Sequence, residues 1–217
     1  MKTIDIKSAW QGTSDCNTCS ISSSVLFAEL NEDDFSKIHS PIDDLHYEAN
    51  SAIYHQGDFA EFLYTLREGY IKLLHLNTDG SSRIVRLVMP GDLFGMEALL
   101  GDRYTHTASA LSNAHLCRLP KALIADLGEQ SPRLHRQMVK KWGEALAQSE
   151  SWFAELNTGR IEVRLARFFL RVAKISGQMA IAPLFKREDM GLMMDVKFET
   201  ISRALASMAE QGLISNV

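Results

Sequence analysis

The chain has 217 residues, of which 46% are hydrophobic and 23% charged, with a net charge of -4. This length and composition are typical of a chain with two modest folded domains and exclude a largely disordered chain. Because no signal-peptide pattern and no apolar run of membrane-spanning length is present, we expect a cytoplasmic protein with no membrane partner.

A polar arm near the start of the chain carries two of its three cysteines. Cys16 and Cys19 form a C-x-x-C pair, whose spacing allows two thiolates to hold one metal centre or to act in a redox motif. No βαβ pattern follows, and no second C-x-x-C pair completes a zinc site. Cys117, taken alone, is typical of a small buried apolar residue. An enzyme with a cysteine nucleophile is not supported, because no catalytic base or oxyanion motif accompanies the pair.

The stretch from about 48 to 119 consists of short apolar segments separated by glycines at nearly regular intervals. Residues 70–76 and 84–88 are predicted strands, and Asp79-Gly80 between them is the clearest hairpin turn. Regular turn signals of this kind predict antiparallel strands in a small barrel or jelly roll.

Residues 133–156, beyond Pro132, are predicted to form one long helix. Its residues at alternating steps of three and four form a coiled-coil seam. These are Val139, Trp142, Leu146, Ser149 and Phe153. In an isolated sequence a stripe of this kind usually marks core packing, and the alternative is the interface of a parallel homodimer.

Two short helices joined by a tight turn near Asp195 are predicted close to the end of the chain, after a further amphipathic helix at 160–175 and short strands within 179–185. The first of the two covers 186–194 and the second 195–212. Two helices joined in this way make a helix-turn-helix, whose second helix enters the major groove of DNA.

The second helix has an apolar stripe at Ile201, Leu205 and Met208, while Glu199, Ser202 and Arg203 share another face. Arginine can bond the acceptor edge of guanine, glutamate can accept from the amino group of cytosine, and serine can bond either. The polar trio therefore predicts base reading. The alternative is a solvated face with an ordinary Glu/Arg pair. Lys and Arg outnumber Asp and Glu from Arg160 onward, which permits nucleic-acid binding.

Together these segments resemble the CRP/FNR superfamily of bacterial transcription regulators over nearly the whole chain. Glu199, Ser202 and Arg203 match the E-x-x-S-R pattern of the FNR branch. The CRP branch usually has Arg before the Glu and Gly in place of the Ser, whereas this chain has Phe198 and Ser202. The resemblance implies a homodimer that reads a TTGAT-type palindrome.

The resemblance also implies an α+β fold: an arm and helix at 1–47, a β-roll (jelly-roll) sensory domain at 48–130, a dimerisation helix at 131–157 and a helix-turn-helix domain at 158–217. Few residues follow Gly212, so we expect an incomplete winged helix with reduced hydrophobic cover on the recognition helix. Asp195 replaces a frequent glycine in the turn. Lys197 replaces the usual Ser/Thr cap, which leaves Asp195 as a candidate cap.

The three cysteines match three of the four cluster-binding cysteines of FNR, and the fourth position holds Val25. A [4Fe-4S] cluster ordinarily takes four thiolates. Three outcomes stay open: another ligand such as Asp15 or Glu29 completes the cluster, an incomplete cluster forms, or oxygen sensing is lost. Ser149 stands where oxygen-responsive FNR proteins have an acidic residue, so we expect the dimer to form without a cluster.

Other ligands of such β-rolls are not favoured. His106 stands where cyclic-nucleotide sensors have the arginine that grips the phosphate, so the bidentate clamp is missing. His75 could ligate haem, but a lone strand histidine is more typical of a hydrogen-bonded surface residue.

RNA polymerase is an expected further partner of such a regulator. The loop at 77–83 could contact it, although this stretch alone is typical of a solvated turn. The alternative function is a sensory or ligand-binding module, for haem, redox state or another signal, with impaired DNA binding.

Overall fold

The computed structural model describes Leu26, residues 42–177 and residues 179–215. By their contacts these residues fall into two compact units. One unit contains 42–76 and 87–146, and the other contains 77–86 together with the residues from 147 onward.

The β-rich part is a β-roll of two four-stranded sheets, with strand orders β1-β8-β3-β6 and β2-β7-β4-β5. The strands are β1 Asp43–Tyr47, β2 Ala52–Tyr54, β3 Phe62–Glu68, β4 Ile71–Leu76, β5 Ser82–Val88, β6 Leu93–Phe94, β7 Thr107–Ala110 and β8 Ala114–Pro120. β8 pairs antiparallel with both β1 and β3. The predicted antiparallel β-roll is confirmed.

Strand β1 begins the β-roll earlier than the sequence pattern indicates. It pairs with β8 along its whole length, from Asp43 opposite Arg118 to Tyr47 opposite Ala114. The predicted sensory domain starts at residue 48, so β1 falls inside the predicted arm. The sequence of β1 carries two aspartates and a histidine, which mask its alternation as a strand.

Aromatic side chains fill the interior of the β-roll. Tyr54 stacks on Tyr104 with ring centroids 3.7 Å apart, and Tyr64 stacks on Phe94 at 5.2 Å. All four are buried. The Tyr104 hydroxyl donates to Phe62 O at 2.7 Å, which satisfies its polar end inside the core.

The hairpin predicted at Asp79-Gly80 connects β4 and β5. Gly80 has φ +82° and its N–H donates to Asn77 O at 3.1 Å. The Asp79 carboxylate accepts from the Ser81 N–H at 2.8 Å, so the turn is closed by side chain and backbone together.

Five helices follow or lie beyond the β-roll within the described residues: α1 Lys121–Gln130, α2 Pro132–Leu156, α3 Ile161–Val172, α4 Arg187–Met194 and α5 Phe198–Glu210. A hairpin of β9 Lys174–Ser176 and β10 Met179–Ile181 lies between α3 and α4. Residues 211–215 form a turn without a strand. The predicted long helix and helix-turn-helix are confirmed.

The start and the end of α2 follow from local side chains. Pro132 occupies the first helical position, where its missing N–H costs nothing, and the Ser131 hydroxyl accepts from the Leu134 N–H at 3.3 Å. After Leu156, the Thr158 hydroxyl donates to Ala154 O at 2.6 Å, and Gly159 follows with φ +90°. These residues end the helix at the predicted break.

Candidate nucleic-acid interface

The turn between α4 and α5 is fixed by one residue in the left-handed conformation. Asp195 has φ 52° and ψ 48° and directly follows α4. The N–H groups of Asp195 and Val196 both donate to Gly191 O, the second at 3.1 Å, as in a Schellman C-cap. Asp195 therefore ends α4. It does not cap α5, as the sequence suggested, because α5 has Lys197 at its N-cap and no side-chain capping bond.

Gly191 allows α4 to approach this turn closely. A Cβ atom at residue 191 would lie 2.6 Å from Val196 O, a backbone atom that cannot rotate away. Any side chain there would push the turn away from α4. Sequence reasoning missed this residue, because a glycine inside a short helix shows its packing role only when the neighbouring backbone is placed.

Helix α5 has two distinct faces. Its stripe residues Ile201, Leu205 and Met208 are buried, as is Ala204 beside them. The expectation of reduced hydrophobic cover on this helix is wrong for these residues, because α3 and α4 pack against α5 and enclose the stripe within the unit.

The opposite face of α5 presents the predicted base-reading side chains to solvent. Glu199, Ser202 and Arg203 are all exposed. The Ser202 hydroxyl donates to Phe198 O at 3.1 Å, and Arg203 Nε donates to Glu199 O at 3.3 Å. These bonds hold both side chains along the helix. The face thus offers an acceptor carboxylate, a hydroxyl and a guanidinium within one helical turn.

Arg164 is a buried arginine that joins three helices of this unit. From α3 its Nε donates to Leu156 O at the end of α2, and its Nη2 donates to Met194 O at the end of α4. The last carbonyls of a helix lack partners within the helix and carry partial negative charge, so a guanidinium suits both ends. Burial lowers the pKa of the Arg164 guanidinium, and the Asp195 carboxylate opposes that shift.

Sequence reasoning counted Arg164 only as a positive charge. A signal was available, because Arg164 occurs at helical spacing with Phe168 and Val172, on the apolar side of α3. An arginine within such a stripe must find acceptors when it is buried. The two helix ends are these acceptors.

The predicted dimer seam on α2 is mostly exposed on the single chain. Val139 is 53% exposed, Leu146 61% and Phe153 68%. Ser149 is also exposed, and Trp142 is half-buried. A neighbouring face of α2 packs within the chain, where Leu134, Trp152 and Leu156 are buried.

In the β-roll, the Glu97 carboxylate has partners from its own chain. Glu97 Oε1 lies 3.9 Å from His106 Nδ1 and 3.5 Å from the Thr105 hydroxyl. Burial works to raise the pKa of Glu97, but the His106 side chain and nearby backbone donors hold it below its ordinary value. His75 Nδ1 lies 3.4 Å from Thr105 O beside them.

Cys117 is the predicted cluster ligand that falls within the described residues. It lies half-buried on β8, opposite Asp44 on β1 and Thr65 on β3. Cys16, Cys19 and Val25 lie outside the described residues. The described part of the chain therefore supplies one of the four thiolates that a [4Fe-4S] cluster ordinarily takes and does not by itself form a cluster site.

Comparison with known proteins agrees with both halves of this architecture. Residues 44–131 match the family described as a cyclic nucleotide-binding domain, and residues 163–217 match the Crp-like helix-turn-helix domain. A β-roll followed by a helix-turn-helix is the architecture of a class of DNA-binding regulators.

Whole-chain relatives identify the family. The fumarate and nitrate reduction regulatory protein of Vibrio cholerae is 26% identical over 92% of this chain and 82% of its own length. The anaerobic regulatory protein of Haemophilus influenzae is 28% identical over 92% of this chain and 80% of its own. The chain belongs to the CRP/FNR superfamily of bacterial transcription regulators. Its relatives are regulators and not enzymes.

Solved structures show the same fold. A CRP-family transcriptional regulator from Thermus thermophilus is 26% identical and superposes with a TM-score of 0.69, over 80% of this chain and 88% of that one. FixK2 from Bradyrhizobium japonicum is 23% identical, with a TM-score of 0.70 over 81% of this chain and 88% of that one.

Among the described residues, no helix is long and apolar enough to cross a bilayer.

Proposed function

We propose that the chain acts as a homodimeric, sequence-specific DNA-binding regulator that reads a TTGAT-type palindrome through Glu199, Ser202 and Arg203. The observation that carries this proposal is the division of α5, whose apolar stripe is buried while these three side chains face solvent. A helix held from behind in this way can insert its polar face into a major groove without unfolding any of its packing.

Each side chain has a defined task in this proposal. Arg203 donates two hydrogen bonds to the O6 and N7 atoms of guanine, Glu199 accepts from the amino group of a cytosine, and Ser202 bonds a neighbouring base or phosphate. The Arg203 bond to Glu199 O uses Nε. A guanine contact through the two Nη groups is compatible with that bond.

Dimerisation supplies the second half-site. The exposed apolar residues of the α2 seam are the surface proposed to meet the same surface of a second copy. A two-fold axis along this seam would present two α5 helices to successive major grooves, about 34 Å apart. A palindromic site then doubles the number of base contacts.

The test for base reading replaces Arg203 with alanine. Fluorescence anisotropy would measure binding to a TTGAT-type palindrome and to a scrambled duplex of equal length, at several salt concentrations. We expect specific binding to weaken by about 1 to 3 kcal/mol, as the loss of a bidentate guanine contact should cost. Binding to the scrambled duplex should change little.

Arg160→Ala is the matched control, because it removes the same charge from an exposed position outside α5. It should alter both duplexes alike. An equal loss on both duplexes for Arg203→Ala would contradict base reading. Absence of any sequence preference in the unaltered protein would favour the alternative, a sensory module with impaired DNA binding.

We further propose that this regulator responds to oxygen or redox state through an iron-sulfur cluster. Its support is the set of Cys16, Cys19 and Cys117, together with the anaerobic regulators among the relatives. Protein purified without oxygen should contain iron and absorb in the visible range, and should bleach in air. Colourless, iron-free protein from the same preparation would contradict a cluster. Contact with RNA polymerase and a cytoplasmic location stay predictions.

A further inference from the structure

Four side chains with metal-binding chemistry share one face of the β1–β8 strand pair. His46 on β1 pairs with His115 on β8, and Asp44 pairs with Cys117. Alternate residues of a strand lie on the same face of a sheet, and directly paired residues do so as well. The donor atoms of Asp44, His46 and His115 all lie within 4.8 Å of one another.

The contacts within this group orient the donors. His115 Nε2 contacts Asp44 Oδ1, and the two imidazole rings stack with centroids 4.0 Å apart at an interplanar angle of 21°. Arg67 Nη1 donates to the other carboxylate oxygen, Asp44 Oδ2, at 2.9 Å. Carboxylates and imidazoles that bind metals are usually held in this manner by a further hydrogen bond.

We propose that Asp44, His46 and His115 form a binding site for a divalent metal ion that prefers imidazole ligands, such as zinc. Two imidazoles and one carboxylate leave a fourth position for water, as in open zinc sites. Zinc bonds of about 2.0 Å at tetrahedral angles place ligand atoms about 3.3 Å apart, so three donors within 4.8 Å of one another need only small shifts. His46 is exposed, so the core constrains its side chain less than those of the half-buried Asp44 and His115.

The charges around the site determine which ions it accepts. The positive charge of Arg67 balances the negative charge of Asp44, so this pair offers a cation no net electrostatic attraction. Arg67 Nη1 also lies 3.3 Å from His115 Nε2, and a bound ion would take that place. Affinity must then come from the imidazole nitrogens, which suit zinc, nickel and copper. Magnesium and calcium prefer oxygen ligands and should bind poorly.

A bound ion would link two strands that are far apart in the sequence. β1 and β8 are neighbours in the sheet, and β8 continues into α1. Because the site needs the folded strand pair, binding should stabilise the folded protein.

The experiment titrates zinc chloride alone into the full chain carrying Cys16→Ser and Cys19→Ser, which removes the arm thiolates as competing ligands. Calorimetry should show one zinc per chain, and zinc should raise the melting temperature while magnesium at the same concentration does not. His46→Ala and His115→Ala should each weaken zinc binding at least tenfold. His46 is the safer substitution, because its exposed ring contributes little to the core.

His75→Ala is the matched control, because His75 lies beside His106 and Glu97, a second group of two histidines and one carboxylate in the same β-roll. It should leave zinc binding unchanged. Unaltered zinc affinity in His46→Ala would overturn the proposal, as would loss of zinc binding in His75→Ala. Cobalt substitution gives a third check, because a strong thiolate charge-transfer band would place the ion on Cys117 instead. DNA affinity, measured separately on His46→Ala, distinguishes failure of this site from failure of the regulator.

Discussion

Helices α2 and α5 carry apolar stripes of the same helical kind, but the fold uses them differently. The stripe of α5, formed by Ile201, Leu205 and Met208, is buried within its own unit. The seam of α2 leaves Leu146 and Phe153 mostly exposed, although a neighbouring face of α2 is packed. An apolar stripe therefore shows that a surface needs a partner, and only the structure shows whether the same chain supplies it.

The α5 stripe should therefore affect the folding of each chain, and the α2 stripe the association of two chains. Loss of a buried α5 residue should lower the free energy of unfolding at every protein concentration. Loss of an exposed α2 residue should leave the single chain nearly unchanged and weaken association, which depends on concentration. Substitutions in each helix can test this assignment directly.

The largest effect is expected for Leu146→Asp in the α2 seam. Two-fold symmetry doubles the loss of apolar burial, at about 1.5 to 3 kcal/mol per leucine, and brings two negative charges together. The dimer should weaken by at least about 4 kcal/mol, or a thousandfold in Kd. Analytical ultracentrifugation of metal-free protein in air would measure this.

Leu100→Asp serves as the control for the seam, because Leu100 is an exposed leucine of the β-roll. It should leave the dimer intact. A dimer that survives Leu146→Asp would show that the seam is not the interface. A monomeric unaltered protein in air would contradict the expectation that Ser149 permits dimerisation without a cluster.

The second largest effect is expected for Leu205→Ala in the buried stripe of α5. Truncation leaves a cavity among α3, α4 and α5, so the free energy of unfolding should fall by about 3 kcal/mol. Urea denaturation at two protein concentrations should give the same loss at both. Leu213→Ala, at an exposed leucine after α5, should change stability by less than about 0.5 kcal/mol. A loss that disappears at high protein concentration would contradict the comparison.

The sequence predicted those features that depend on local periodicity. The two faces of α5, the length of α2 and the turn at Asp79-Gly80 each follow from residues close together in the chain. Their patterns needed no knowledge of neighbouring elements, because helical spacing and turn chemistry act over a few residues.

The features that the sequence did not predict depend on residues far apart in the chain. The position of β1 and the group around His46 and His115 require the register between two strands about seventy residues apart. Arg164 bonds Met194 O, 30 residues further along the chain. Gly191 is the exception, because Val196 O is close in sequence and the contact depends on how the turn folds back onto α4. Of these features, only Arg164 had a trace in the local pattern, its place within the apolar stripe of α3.

A smaller effect is expected where α2 and α4 both end. Arg164→Ala removes the donors to Leu156 O and Met194 O, and should lower stability by about 2 kcal/mol after the relieved burial of the charge is subtracted. Arg167→Ala is the control, since this exposed arginine of α3 also donates to a carbonyl of α2, Glu155 O at 3.2 Å. It should cost less than about 0.5 kcal/mol. Equal losses in the two variants would show that burial of Arg164 is unimportant.

The smallest effect is expected in the β-roll, outside α2 and α5, and it concerns how stability depends on pH. The pKa of Glu97 is lowered in the folded state. Its ionised form therefore stabilises the fold fully above the ordinary carboxyl pKa of 4.5. This contribution is lost as pH falls through the lower, folded-state pKa. Glu97→Gln should therefore lose less stability than the unaltered protein as pH falls from above to below the ordinary carboxyl value. Urea denaturation across this range would measure it, with Glu48→Gln as an exposed control in the same β-roll. Parallel pH curves for Glu97→Gln and the unaltered protein would show that the contact with His106 does not stabilise the ionised carboxylate, and the acid sensitivity would then belong to other carboxylates.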